Sequence, residues 1–138
     1  MCFKKLKFTS NETEISISEL TNLLNPLELK TTLLWDSRYF YVSHEGWGKV
    51  FGKVLLDMPK YTVEKFDCEN FAVLVSARTS ELFQLNTCGI AIGQSPQGYH
   101  GFNIFLSDNG FFYLEPQTGD VYSVTEDSGY KAELVIFG

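Results

Sequence analysis

The spacing of apolar and polar positions changes near the middle of the chain. In the first half, apolar residues recur every three or four positions, between Leu20 and Leu24 and again between Trp47 and Met58. That spacing is typical of helices with one buried face. From Cys88 onward, short runs rich in aromatic and β-branched residues favour strands. Helices followed by antiparallel strands predict the α+β class.

Local signals set the limits of the predicted elements. Ser16 and Glu19 form a capping box before the first helix, which Pro26 ends; Pro59 ends the second. The third helix is predicted over residues 67–82, with Asp67 as its N-cap. Strands are predicted over residues 88–92, 99–106, 111–114, 120–124 and 130–137, and residues 39–42 are either a strand or a hydrophobic connector. Asn109-Gly110 predicts a hairpin turn.

Composition and charge limit the class of protein. The 138 residues contain no repeat or linker, which predicts one domain over residues 1–138, and 44% hydrophobic residues are enough for a packed core. The net charge of −6 disfavours nucleic acid as a partner. No apolar run reaches the roughly 20 residues of a membrane span, and no signal peptide is recognisable. The glycines do not form a phosphate-binding loop between a strand and a helix.

The three cysteines favour free thiols, because their number is odd and their density is low. This predicts a reducing, cytoplasmic location. Cys2 is expected to be a tail residue and Cys88 a core strand residue. Cys68 directly follows the predicted N-cap, where the helix dipole would lower the pKa of its thiol. Asp67 and Glu69 oppose that effect, and the competing interpretation is that Cys68 is a small buried apolar residue.

A histidine partner would support a functional role for Cys68. His100 lies in a predicted strand, which would hold the imidazole in place, and Gly101 beside it leaves space. His44 lies at the start of the second helix and is expected to be solvated.

A carboxylate follows on the next predicted strand. Pairing around Asn109-Gly110 places Glu115 near residue 104, a few residues along from His100. Glu115 could then orient one imidazole nitrogen while the other faces Cys68. A solvent-facing strand end is the alternative interpretation of Glu115.

Three motifs occur in order: Asp-Cys-Glu-Asn-Phe-Ala, Tyr-His-Gly-Phe-Asn-Ile and Tyr-Leu-Glu-Pro-Gln-Thr-Gly. Over residues 35–120, this set resembles the papain-like cysteine protease domain at the C-terminus of a mushroom (Marasmius-type) agglutinin and related small microbial and phage proteins. The resemblance implies helices packed on an antiparallel sheet or half-barrel. It also implies Cys68 as nucleophile, His100 as general base and then acid, and Glu115 as the residue that orients His100.

The chain departs from the papain-like pattern before the cysteine. No glutamine precedes Gln84, so the usual oxyanion donor is missing, and Tyr61 or Thr62 would have to replace it. The resemblance also implies calcium, although no site can be assigned and no other cofactor is expected. Its candidate ligands are the acidic residues Asp57, Asp67 and Glu69.

Two functions are left open. The first is a cysteine hydrolase (peptidase, amidase or acyl transferase) that acts on a peptide or protein substrate. The second is a non-catalytic binding or structural protein of the same fold, from a virus or mobile element. The first function, with the triad of Cys68, His100 and Glu115, is the main hypothesis, whereas the missing glutamine and the small size are the grounds for the second. The high aromatic content would allow a dimer.

Overall fold

The computed structural model describes residues 11–138, and its elements confirm the α+β class, with helices packed against a sheet. The helices are α1 (Ile17–Leu24), α2 (His44–Val54) and α3 (Cys68–Phe83). The strands are β1 (Thr13–Ser16), β2 (Thr31–Leu34), β3 (Arg38–Tyr41), β4 (Cys88–Ser95), β5 (Gly98–Ser107), β6 (Gly110–Leu114), β7 (Val121–Ser123) and β8 (Lys131–Phe137).

The helices form close to where the sequence predicts them. The Glu19 N–H donates to Ser16 Oγ at the start of α1, as the capping box predicts. Helix α2 begins three residues before its apolar pattern, because Ser43 Oγ caps it by accepting from the Gly46 N–H. Helix α3 differs from the prediction by one residue at each end. Among residues 11–138, none of the helices has the length and apolar character that a membrane span requires.

The main sheet has six strands in the order β2-β8-β4-β5-β6-β7, and a separate antiparallel pair joins β1 to β3. The sheet is mixed, because β2 pairs parallel with β8 while the other pairs are antiparallel. The sequence pattern predicted neither β1 nor β2. Strand β2 is exposed along three of its four residues and pairs with a strand about a hundred residues away, so its own sequence carries little strand signal.

The hairpin between β5 and β6 turns one residue earlier than predicted. Ser107 pairs with Gly110, so the two residues between them form the turn, and the positive φ of +97° falls on Gly110. Asn103 therefore pairs with Leu114. Glu115 consequently lies two positions nearer to the start of β5 than the predicted pairing places it.

Strand β5 contributes to buried clusters on both faces of the sheet. Phe102, Ile104 and Leu106 pack in the cluster that includes α1, whereas Phe105 packs in the cluster formed with α2 and α3. Trp47 of α2 is fully buried, and its Nε1–H donates to the carbonyl of Leu106 at 2.7 Å. This bond fixes α2 against the end of β5. The start of β5, near His100, packs instead against the first turn of α3.

Two glycines give a matched test of this packing. A Cβ on Gly89 would overlap the carbonyl oxygen of Ile136 on β8, whereas a Cβ on Gly48 in α2 would meet nothing within 4 Å. We expect Gly89→Ala to lower the free energy of unfolding by about 1–3 kcal/mol. Gly48→Ala should raise it by about 0.5–1 kcal/mol, because alanine is the better helix former. Urea unfolding measures both, and similar effects for the two variants would contradict the close β4–β8 contact.

Candidate functional site

Cys68 is the first residue of α3, as predicted, and Asp67 is its N-cap. The Asp67 N–H donates to Asn70 Oδ1 at 3.1 Å, which fixes the first turn of the helix. The Cys68 side chain is half-buried, and its Sγ contacts Glu69 Oε2 at 3.2 Å and the Gly101 N–H at 3.4 Å. The thiol therefore lies between the start of α3 and strand β5.

Gly101 allows this contact because it has no side chain. A Cβ at this position would lie 2.9 Å from Cα of Glu69. Strand β5 consequently passes directly against the first turn of α3, and His100 is the residue next to the strand's contact with the thiol. The space that the sequence predicts beside His100 is filled by the backbone of α3.

His100 and Glu115 form a short, buried contact. His100 Nε2 lies 2.6 Å from Glu115 Oε1, and the two side chains are 11% and 7% exposed. Glu115 is thus a buried partner of the imidazole rather than a solvent-facing strand end. Its Oε1 also accepts from the Tyr130 hydroxyl at 3.0 Å, and its Oε2 accepts from the Gln117 N–H at 3.2 Å.

The acceptor role of Glu115 determines the tautomer of His100. A carboxylate that receives hydrogen bonds from Tyr130 and from the Gln117 N–H is an acceptor for the imidazole as well. Nε2 of His100 therefore carries a proton, and in the neutral ring Nδ1 is the acceptor nitrogen. The contact with Glu115 is the one that the sequence analysis expected for His100, and the direction of Nδ1 towards Cys68 stays a prediction.

The electrostatics of Cys68 differ from the prediction. Burial raises the pKa of the thiol, the Gly101 N–H lowers it, and the Glu69 carboxylate raises it. The predicted lowering by the helix dipole is therefore overcome. The pKa of Glu69 is lowered by its own backbone N–H and by the hydrogen bond from the thiol. In the resting site, a neutral Cys68 thiol donates to an ionised Glu69.

Tyr61 and Thr62, the two residues considered as replacements for the missing oxyanion donor, have different surroundings. The N–H of Thr62 donates to the carbonyl of Phe66 at 2.7 Å, so it is used within its own turn. Tyr61 is 46% exposed and stacks near Phe71, with ring centroids 6.4 Å apart. Burial and the charges of Asp67, Cys68 and Glu69 raise the pKa of the Tyr61 hydroxyl.

The acidic residues considered for calcium do not form a site. Within residues 11–138, no group of three or more His, Cys, Asp and Glu side chains is arranged to hold a metal ion. Asp67 instead caps α3, and Asp57 lies in a turn at a positive φ of 51°.

Of the described residues, the other histidine, His44, and the other cysteine, Cys88, lie on other elements of the fold. His44 is the first residue of α2, and its ring packs against Phe112 with centroids 4.6 Å apart. Cys88 is fully enclosed in the core, and Cys2 lies outside the described residues. The sequence analysis did not identify Tyr130 as part of the candidate site. Tyr130 lies just before β8 and Glu115 just after β6, and nothing in the local sequence of Tyr130 indicates that its hydroxyl contacts Glu115.

A second feature, which we call the Trp35 cleft, was also missed. It is an open cleft of about 520 Å³ lined by Asp36, Ser37, Arg38, Ser80, Gln84 and Asn86, together with Gly138 and apolar residues. The Trp35 side chain is 70% exposed and lies against Gly138, which is one of the residues that line the cleft. An exposed tryptophan followed by Asp-Ser-Arg is a weak sequence signal for such a surface.

The comparisons with known proteins rest on structure alone. No family model matches the chain, and no curated protein matches it in sequence. The fold is similar to that of PSL1a in complex with E64, with a TM-score of 0.72 and 22% identity over 90% of this chain and 51% of that one. It is also similar to Polyporus squamosus lectin bound to the human-type influenza-binding epitope Neu5Acα2-6Galβ1-4GlcNAc, with a TM-score of 0.67 and 23% identity over 90% of this chain and 49% of that one. The chain spans about half the length of these structures, and the likeness shows a shared fold.

These comparisons contradict the family assignment made from sequence. The matched structures are of a lectin, and neither is described as a papain-like protease. We therefore withdraw the assignments of a papain-like cysteine hydrolase and of a peptide or protein substrate. The correction has a physical reason: three short motifs specify a helix start and two strand segments, and one fold can carry several unrelated functions.

The buried thiol gives a direct test of the electrostatics. Burial raises the pKa of Cys88 to about 12, although a hydrogen bond with Thr79 lowers it slightly. At pH 8 only about one Cys88 thiol in 10⁴ would be ionised. We expect iodoacetamide to leave Cys88 unlabelled in the folded protein and to label it fully in urea, as read by peptide mass mapping. Labelling of native Cys88 at the rate of an exposed thiol would contradict this arrangement.

Proposed function

We propose that this chain is a carbohydrate-binding module, and that its ligand occupies the Trp35 cleft. The observation that carries the proposal is a largely exposed indole beside a cleft lined by polar side chains. A sugar ring has one face of C–H groups and a rim of hydroxyls. An exposed aromatic ring can cover the first, while amide, carboxylate and guanidinium groups can hydrogen-bond the second.

The polar wall of the cleft is already ordered. Asn86 Oδ1 accepts from the Phe40 N–H at 2.8 Å, and its Nδ2 donates to Asp36 Oδ2 and to the Arg38 carbonyl, both at 2.9 Å. Arg38 is paired with Glu14 at 2.7 Å on β1. Side chains fixed in this way lose little conformational entropy when a ligand binds. The cleft is therefore preorganised for a polar ligand.

The comparison supports the ligand class rather than a particular glycan. One matched structure is a lectin with a bound sialylated trisaccharide. Because this chain spans about half of that protein, the trisaccharide serves here only as a probe. The proposal that the Trp35 cleft binds a ligand rests on the geometry of the cleft itself.

Substitution of Trp35 tests the proposal. We expect the wild-type chain to bind Neu5Acα2-6Galβ1-4GlcNAc or the asialo disaccharide Galβ1-4GlcNAc on an array, with the dissociation constant measured by calorimetry. Trp35→Ala should weaken this binding by at least about thirtyfold, since truncation of an aromatic contact to the ligand costs roughly 2 kcal/mol or more.

Tyr99→Ala is the matched control. Tyr99 is 65% exposed, and it lies on β5 beside His100 rather than at the Trp35 cleft. The control should bind like the wild type. Absence of glycan binding by the wild-type chain, or equal losses in the two variants, would overturn the proposal.

We also propose that Cys68, His100 and Glu115 form a reactive thiol site, to which we assign no substrate. Two contacts support it, the Gly101 N–H directed at Sγ and the Glu115 carboxylate on Nε2 of the imidazole, and His100 is the residue directly before Gly101 on β5. In this site, Cys68 is the nucleophile and His100, through Nδ1, receives the thiol proton. Glu115 orients His100. Ionisation of the thiol is opposed by Glu69, so an imidazolium is needed to offset that charge.

Free thiols support a location in a reducing compartment. Cys68 and Cys88 are both unpaired with another cysteine. We therefore include a cytoplasmic location in the proposal.

Alkylation kinetics test the thiol site. We expect iodoacetamide at pH 7 to label Cys68 in the wild type at least about tenfold faster than in His100→Ala, because loss of a positioned proton acceptor typically costs about 10²–10⁴ in rate. His44→Ala is the control and should leave the rate unchanged, since His44 packs on Phe112 away from Cys68. Peptide mass mapping separates Cys68 from the other cysteines. Equal Cys68 rates in the wild type and His100→Ala would contradict the site.

A further inference from the structure

We propose that Tyr130 is a positioning residue that acts through Glu115 to hold His100 in a single tautomer. The inference rests on the proposed thiol site, whose proton acceptor is Nδ1 of His100. Tyr130 precedes β8 and is far in sequence from both Cys68 and His100. Its contribution is a single hydroxyl group in a buried position.

The hydroxyl of Tyr130 shares an oxygen with the imidazole. It donates to Glu115 Oε1 at 3.0 Å, and this same oxygen accepts from His100 Nε2 at 2.6 Å. The second oxygen, Oε2, accepts from the Gln117 N–H at 3.2 Å. With a donor fixed on each oxygen, the carboxylate cannot rotate without losing hydrogen bonds in a buried environment. The lone pair that faces Nε2 is therefore held in place.

Tyr130 is itself held rigidly. Its ring stacks on Tyr122, with centroids 5.0 Å apart and an interplanar angle of 19°. It also meets Phe102 edge to face at 5.1 Å, and Phe102 in turn lies beside the ring of His100 at 6.2 Å. Burial and the Glu115 charge raise the pKa of the Tyr130 hydroxyl, so it remains a donor at neutral pH.

A neighbouring tyrosine shows how a purely structural hydroxyl is used in this fold. The hydroxyl of Tyr113 accepts from the Ala132 N–H at 3.1 Å and so anchors the first residues of β8. The hydroxyl of Tyr130 instead bonds a carboxylate that contacts the imidazole. Its removal should therefore be visible at His100 rather than only in stability.

The consequence for His100 is a choice between two neutral forms. A neutral imidazole carries its proton on Nε2 or on Nδ1, and a carboxylate fixed at Nε2 selects the first form. If Glu115 loses the Tyr130 hydroxyl, Oε1 keeps only the imidazole as donor and Oε2 only the Gln117 N–H, so the carboxylate is held less firmly towards Nε2. The population with Nδ1 as acceptor then falls, and with it the fraction of molecules that can accept the Cys68 proton.

The test is Tyr130→Phe, which removes one oxygen and keeps the ring that packs on Tyr122 and Phe102. Two-dimensional proton–nitrogen NMR of the imidazole nitrogens, above the pH at which the ring loses its charge, reports the tautomer directly. The wild type should show His100 with its proton on Nε2. Tyr130→Phe should shift both His100 nitrogen signals towards a mixture of tautomers, and should slow iodoacetamide labelling of Cys68 by about tenfold, as losses of orienting partners typically do.

Two internal controls separate this effect from general damage. Tyr122→Phe also removes one tyrosine hydroxyl from the same stacked pair and should leave the His100 signals unchanged. His44, the second histidine, should keep the same nitrogen shifts in every variant, because its ring packs on Phe112. Circular dichroism and thermal unfolding confirm that both variants are folded.

The outcomes distinguish this inference from the thiol-site proposal. Unchanged His100 nitrogen shifts in folded Tyr130→Phe would overturn the role of Tyr130, whatever the reactivity of Cys68. A shifted tautomer in Tyr130→Phe, with Cys68 labelling that does not depend on His100 in the wild type, would support Tyr130 as the residue that positions His100 and reject the thiol site. Equal shifts in Tyr130→Phe and Tyr122→Phe would also overturn it, because the effect would then come from the stacked rings.

Discussion

Strand β5 passes so close to the first turn of α3 that a Cβ on Gly101 would lie 2.9 Å from Cα of Glu69. Every other part of the Cys68 site depends on this approach. It brings the Gly101 N–H to the thiol, places His100 beside that contact, and aligns the strand that pairs with β6 just before Glu115. A side chain at this position would separate helix from strand, and the thiol would lose its backbone donor.

Both candidate surfaces depend on a polar group that several hydrogen bonds hold in one orientation. At the thiol site this group is Glu115, which accepts from His100, Tyr130 and the Gln117 N–H. At the Trp35 cleft it is Asn86, which holds the segment at the start of β3 through Asp36, Arg38 and Phe40. Such groups are costly to bury unless all their hydrogen bonds are made, so their geometry is strongly determined. A ligand or proton therefore meets an arrangement that is already formed.

The thiol site shows two electrostatic effects in opposition. The start of a helix favours a thiolate, yet burial and the adjacent Glu69 carboxylate keep the Cys68 thiol protonated at rest. The sequence analysis correctly expected the acidic neighbours to oppose ionisation of the Cys68 thiol. It did not include the larger effect of burial on the pKa of that thiol, because burial depends on the folded structure. The same sequence analysis led to a protease family that the structural comparisons contradict. Motifs of a few residues record how helices and strands begin and end, and the chemistry depends on what surrounds them.

The sequence by itself determined the α+β class, the capped starts of α1 and α3, and the position of Cys68 at a helix start, because caps and apolar periodicity are local. It also selected His100 and Glu115 as a pair, although with a register two residues off, since the turn forms one residue earlier and places its positive φ on Gly110. Only the tertiary structure decided the parallel β2–β8 pairing, the Tyr130 hydroxyl on Glu115 and the cleft beside Trp35. These features join segments that are distant in the chain. Their energy comes from contacts between separate elements, so no local stretch of sequence encodes them.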